Sequence, residues 1–311
     1  MMLQNVALHD PVDQTRSVPL CVTLILNCPG IMGGMSGTDI PTNSQPASEL
    51  LSLAEEVAHE AGELLLAYAS KNERISVAAV KSSPTDVVTA ADTASESLIR
   101  QRLHAVRPDD AFLGEEGDDV AGTSGVTWVV DPLDGTVNYL YGIPAYGVSI
   151  AATVSGQTVA GVVLCPPTGE IWTAVRGGGA FLNGQRVSAT PVTDLGQTLV
   201  GTGFWYDAGL RARQAQLLTR VLPTVRDIRR IGAAAVDLCG VACGRLDAFY
   251  EVGLKPWDLA AGLLIAEEAG VRTAGLPGEP ADGRLTVAAA PGVFDDLYAL
   301  LLDAGAAELH R

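Results

Sequence analysis

Trp128-Val129-Val130-Asp131-Pro132-Leu133-Asp134-Gly135-Thr136 is the stretch from which the rest of this chain is read. An apolar run suited to a strand ends on Asp131, and Pro132 turns the chain. Asp134-Gly135-Thr136 then opens a short helix whose first amides have no partners within the helix and face an anion. Two carboxylates and a phosphate cradle share one bend. The string by itself is equally an ordinary turn, because Asp, Pro and Gly are turn residues. Two Asp so close in sequence repel unless a cation lies between them, and hard oxygen ligands suit Mg²⁺ or Mn²⁺.

Working outward, three more acidic strings stand beside Gly, Pro or Trp or at an element end: Thr89-Ala90-Ala91-Asp92, Gly114-Glu115-Glu116-Gly117 and Pro256-Trp257-Asp258. Taken singly they are bland. Glu115-Glu116 reads as a solvated loop, and Asp258 as the N-cap of the helix that follows.

The elements between these strings fall into two patterns. From Ala47, Leu50, Leu53, Ala54, Val57, Ala61, Leu64, Leu65 and Tyr68 form one helical stripe, with Glu55, Glu56, Glu60 and Glu63 largely off it. A second helix is expected from Thr93 to Val106, opened by the capping pair Thr93 and Glu96 and closed before Arg107-Pro108. Short β-rich runs follow, from Thr127 to Val130, Tyr146 to Val154, Thr158 to Leu164, Ile171 to Val175 and Ala180 to Leu182. Ser155-Gly156 and Asn183-Gly184 mark hairpins of an antiparallel sheet. After about residue 190, strands (Thr198 to Thr202, Ala248 to Glu251, Leu285 to Ala289) alternate with helices (Leu210 to Val221, Ala233 to Cys243, Asp258 to Ala269, Val293 to Ala304). The expected organisation is an α+β layer over residues 47–190 and an α/β layer over 191–311, two layers of one unit without a linker. Residues 1–46 are rich in Pro, Gly, Ser, Asn and Thr and read as a disordered tail or as an upstream start, with Met32 and Met35 as alternatives. The apolar run Val18 to Leu26 is too short to span a bilayer and lacks the flanks of a signal peptide.

Composition narrows the chemistry. Of 311 residues, 36 are Asp or Glu and 20 Lys or Arg, a formal charge of -16 that repels nucleic acid and anionic lipid. Five Cys without a C-x-x-C pair form neither a disulfide framework nor a zinc cage and fit a reducing, cytoplasmic setting. Cys239 and Cys243 read as helix packing. His9, His59, His104 and His310 all lie outside catalytic-looking loops, so an enzyme here works with carboxylates, hydroxyls and backbone amides.

Together the acidic strings resemble the inositol monophosphatase family of magnesium-dependent, lithium-sensitive sugar phosphatases. The resemblance runs from Lys81-Ser82-Ser83-Pro84-Thr85-Asp86 through Gly114-Glu115-Glu116 and Trp128 to Tyr139, then to Trp257-Asp258-Leu259-Ala260-Ala261-Gly262 and Glu267-Glu268-Ala269-Gly270. It implies an α/β fold, an αβαβα sandwich. It implies two or three Mg²⁺ per site: Glu115, Asp131 and the Leu133 carbonyl at the first, Asp131, Asp134 and Asp258 at the second. Asp92 and Thr136 would orient the attacking water, and the Gly135 and Thr136 amides would grip phosphate. For the polyol, Asp134, Ala234 of the Gly232-Ala233-Ala234 turn, Asp258 and Glu251, seven residues before Asp258, would meet hydroxyls. The turn's central Ala departs from the Thr of many relatives, and Arg229 and Arg230 before it read as solvated. The activity so implied is hydrolysis of inositol 1-phosphate, with histidinol phosphate or fructose 1,6-bisphosphate as alternative substrates of the same superfamily. The resemblance also implies a homodimer, and, as a role of another class, an adaptor in ribosomal RNA transcription acting through protein partners.

Overall fold

The computed structural model describes residues 47–70, 77–81 and 87–309. The amino-terminal tail, His9, His310 and residues 82–86 of the first motif lie outside them.

Helix α1 (Ala47–Ala69) follows the stripe expected of it, and α2 (Ala90–Val106) ends where expected but begins at Ala90 instead of Thr93, with a hairpin of β1 (Val77–Val80) and β2 (Val87–Thr89) between them. Leu50, Ala54, Val57, Ala61 and Leu65 of α1 are buried at helical spacing. The start of α2 corrects the expected capping pair. Thr89 is the N-cap, its hydroxyl accepting the Ala91 N–H at 3.2 Å while Asp92 accepts the Thr89 N–H at 2.9 Å. Glu96 is instead buried one turn further on. Thr-x-x-Asp satisfies the first orphan amides as well as Ser/Thr-x-x-Glu does, and it lies one turn earlier.

Next come β3 (Ala111–Gly114), β4 (Val126–Asp134), the short α3 (Thr136–Tyr141), β5 (Gly147–Val154), β6 (Gln157–Cys165), β7 (Glu170–Val175), β8 (Gly179–Leu182) and β9 (Gln185–Val187). They form one seven-stranded sheet in sequence order, antiparallel except for β3 beside β4. Both expected hairpin turns are present. Ser155 and Gly156 have φ of 52° and 78°, and Asn183 and Gly184 have φ of 49° and 74°, the paired left-handed geometry of a turn that matches strand twist.

The remainder is β10 (Leu199–Thr202), α4 (Ala208–Val221), β11 (Asp227–Arg229), α5 (Ala234–Ala242), β12 (Ala248–Glu251), α6 (Pro256–Glu268), β13 (Arg272–Ala274), β14 (Thr286–Ala289) and α7 (Phe294–Asp303). Its five-stranded sheet has the order β11-β10-β12-β14-β13, parallel over the first three and antiparallel beyond.

Four apolar clusters fix the layering. Leu65, Ile99 and Trp128 join α1 and α2 to one face of the large sheet. Trp172, Val163, Cys239 and Ile265 join its other face to α5 and α6. Leu238, Phe249, Ala266 and Ala288 join those helices to the small sheet, and Val200, Leu217, Val287 and Leu297 join its far face to α4 and α7. The order is therefore αβαβα, as expected. Each fully buried Leu, Ile or Phe stabilises such a layer by about 1.5–3 kcal/mol. Among the described residues no helix is long and apolar enough to cross a membrane.

Candidate metal and phosphate site

Asp131 and Asp134 are three residues apart, an odd spacing that would point them to opposite faces of a regular strand. The pairing of β4 with β5 shows how they come to face one way. Asp131 is opposite Ser149 and Asp134 opposite Gly147, so the Asp131-to-Asp134 segment carries one residue more than its partner. Pro132, with no N–H to give to the ladder, sits in this bulge. Ser95 of α2 donates to the Pro132 carbonyl at 2.9 Å, and the Leu133 N–H donates to Asp131 Oδ1 at 3.0 Å. The bend is thus held from both sides.

Asp258 joins them from α6. The structure corrects its position, since Lys255 is the N-cap, Pro256 opens the helix, and Asp258 lies in the first turn with Oδ2 accepting the Lys255 N–H at 2.6 Å. Asp131, Asp134 and Asp258 each present one oxygen, all within 4.8 Å of one another. Asp134 also caps α5 from across the site, accepting the amides of Ala234 (3.0 Å), Ala235 (2.8 Å) and Val236 (3.3 Å). Ala234, expected at the polyol, does line the cavity, with its N–H already given to Asp134.

Charge makes this cluster unfavourable as it stands. Burial raises the Asp131 carboxyl well above the usual range, and Glu115, Asp134 and Asp258 raise it further. Burial pushes Asp134 and Asp258 up to about 7, against the lowering effect of their backbone amides. Hard oxygens, mutual repulsion and burial together fit a small divalent cation, which would neutralise the cluster in place.

Glu115 borders the cluster and is paired with Lys81, whose Nζ lies 2.6 Å from both Glu115 and Glu116. The Glu115-Glu116 loop is therefore not the solvated loop its composition suggests. It is anchored from beneath by Glu96, which accepts the Glu116 N–H at 2.7 Å and pairs with Arg100 at 3.0 Å. Burial raises Glu115 and carries Glu116 to about 7, with Lys81 opposing.

Asp92 and Thr136 are in direct contact. The Thr136 hydroxyl lies 2.8 Å from Asp92 Oδ1 and 3.2 Å from the Leu133 carbonyl. Its one proton serves the nearer acceptor, which leaves the Leu133 oxygen available to a cation. Asp92 also accepts the Thr89 hydroxyl at 2.5 Å, and burial raises its pKa against both hydroxyls. Gly135, at φ 89°, precedes α3, whose first amides have no side-chain cap.

Lys81, Glu115, Asp131, Leu133, Asp134, Gly135, Thr136 and Asp258 border one cavity of about 300 Å³, with Asp92 behind Thr136. Glu251 lies on its wall at the end of β12, where burial, then Asp237 and Asp258, push its carboxyl well up. Arg230 lines the same cavity, whereas Arg229 pairs with Asp227 at 2.6 Å. Sequence reading missed the β10–α4 loop, in which Gly203, Phe204, Trp205 and Tyr206 form part of the wall. The available signal was its place directly after a parallel strand, the usual side of a binding crevice.

A sequence profile described as the inositol monophosphatase family matches residues 47–305. A protein of Mycobacterium tuberculosis named inositol-1-monophosphatase SuhB is 49% identical over 276 residues, 83% of this chain and 95% of the relative. The solved Mycobacterium tuberculosis SuhB structure superposes with a TM-score of 0.73 at 45% identity, over 85% of this chain and 100% of that one. A Xylella fastidiosa protein named Nus factor SuhB is 42% identical over 214 residues, 68% of this chain and 77% of the relative.

Proposed function

The chain belongs to the inositol monophosphatase family, and we propose that it hydrolyses inositol 1-phosphate to myo-inositol and phosphate with Mg²⁺. One observation carries the reading: the carboxylates of buried Asp131 and Asp134 and half-buried Asp258, from two distant segments, converge within 4.8 Å in a cavity that Thr136 and Glu251 also line, with Asp92 behind Thr136.

Asp131, Asp134 and Asp258, with Glu115 and the Leu133 carbonyl, would hold two or three ions. When bound, Mg²⁺ supplies Lewis-acid stabilisation of phosphoryl charge and a more acidic water. The chain's own residues do the rest. Thr136 donates to Asp92, so its lone pairs face outward and accept a hydrogen bond from the attacking water. The water's proton passes along this relay to Asp92, a stronger base than a free carboxylate because burial raises its pKa. No histidine is needed. The Gly135 and Thr136 amides at the open start of α3 hold the phosphate oxygens, and Glu251 accepts ring hydroxyls. A homodimeric assembly and a cytoplasmic site belong to the same proposal and rest on the resemblance.

Phosphate release from inositol 1-phosphate, histidinol phosphate and fructose 1,6-bisphosphate, each with Mg²⁺ and with chelator, tests it. A preference for histidinol phosphate would overturn the substrate assignment. A second reading, an adaptor that works through protein partners, is supported by the Nus factor relatives. The retained carboxylate cluster favours catalysis over a purely non-catalytic role.

A further inference from the structure

The β10–α4 loop and the β12–α6 connection interlock through two glycines. The Glu251 carboxylate lies on Gly203, where a Cβ would stand 2.1 Å from Oε2. In return the six-membered part of the Trp205 indole lies on Gly253, at φ +102°, where a Cβ would stand 2.3 Å from Cε3. Each glycine gives up the space that the opposing side chain fills. The Trp205 backbone is pinned as well. Its N–H donates to Oε1 of buried Gln214 at 3.0 Å, and its carbonyl accepts from Arg211 Nη1 at 3.4 Å. Lys255 Nζ stands 5.5 Å from the indole centroid. An aromatic ring so held keeps its place without a substrate, and it lines the same cavity as Glu251 and Asp258.

A cyclitol carries hydroxyls around its rim and C–H bonds on its faces. A carboxylate serves the first and an aromatic surface the second. Building on the phosphatase reading above, we infer that Trp205 determines specificity. It selects ring-bearing polyol phosphates over acyclic ones by packing on the C–H face while Glu251 accepts the hydroxyls. An acyclic ester such as glycerol 2-phosphate still offers its phosphate to the carboxylate site but has no ring face for Trp205.

Steady-state kinetics with saturating Mg²⁺ on inositol 1-phosphate and glycerol 2-phosphate test this in the wild type and in Trp205→Leu, Trp205→Met and Trp205→Phe. Removing the aromatic ring should lower the ratio of kcat/KM for the two substrates by about tenfold, mainly through KM. Trp205→Phe should hold that ratio within about threefold. An unchanged ratio in the ring-free variants, whether both activities fall together or neither falls, would overturn the inference. Leu and Met differ in bulk, so poor folding of one leaves the other to decide. Failure of the underlying reading shows earlier and separately, as a wild type inactive on inositol 1-phosphate.

Discussion

Replacing Asp131 by Asn should make the metal-free protein more stable and the Mg²⁺-loaded protein less so. Asparagine keeps the shape and the oxygen that accepts the Leu133 amide, and it removes one charge from a cluster whose oxygens lie within 4.8 Å of each other. At that separation two full charges repel by about 3.5 kcal/mol at an effective dielectric near 20. Proton uptake relieves this at lower pH, since burial holds the Asp131 carboxyl well above the usual range and pushes Asp134 and Asp258 up to about 7, so the comparison belongs at alkaline pH, where the metal-free cluster is charged. A gain of about 2 kcal/mol remains for the metal-free variant, or about 4–8 °C for a unit of this size. Mg²⁺ at about 100 times its Kd stabilises the wild type by about 2.7 kcal/mol, or about 5–11 °C, and has little to grip in the variant. Calorimetry in chelator and in Mg²⁺ should therefore show the two proteins exchanging order. The metal-free wild type should also lose stability as pH rises. Carboxyls raised to about 7 hold their protons more tightly when folded, so their contribution is complete below the unfolded value near 3.8 and is lost by the time pH passes about 7. The slope should be shallower in Asp131→Asn. A variant that melts below the wild type in chelator, or gains as much from Mg²⁺, would refute the argument.

Thr136→Val removes the hydroxyl that links water to Asp92; kcat should fall by about 100-fold or more with KM within about threefold, and Thr136→Ser should restore most of the rate. Glu96→Ala strands the Glu116 N–H and releases the Glu115 loop, so urea unfolding should show a loss of about 2–3 kcal/mol and activity should require more Mg²⁺. Asp110→Ala leaves the buried Trp128 indole N–H and the Ser124 hydroxyl without their acceptor, at a cost of about 2–4 kcal/mol; below the melting temperature turnover should match the wild type, because Asp110 lies outside the cavity.

Much of the fold was legible because its signals are local. The α1 stripe, the Ser155-Gly156 and Asn183-Gly184 turns and the α6 run from the Pro-Trp-Asp string carry their geometry in neighbouring residues. What escaped were brief strands fixed by non-local partners, such as β11 and β13, three residues each at opposite edges of the small sheet. Glu96 was misread for a related reason. Its spacing from Thr93 suited a cap, while its real partners are Arg100 in the next turn and the Glu116 amide twenty residues on.

The same division runs through the site. Sequence alone placed Asp131, Asp134 and Asp258 near the end of a strand and the start of a helix, because strand, proline turn and helix start are local and follow from residue type; it ended the strand at Asp131, whereas β4 runs on to Asp134. Tertiary structure decided that Asp131 and Asp134 face one way, since only pairing with β5 creates the bulge that reverses their alternation. It also decided that Asp134 caps a helix a hundred residues away, that Lys81 balances Glu115, and that Gly203 and Gly253 make room for Glu251 and Trp205. Those outcomes depend on which distant surfaces meet, which apolar burial between the layers sets and no short string of residues encodes.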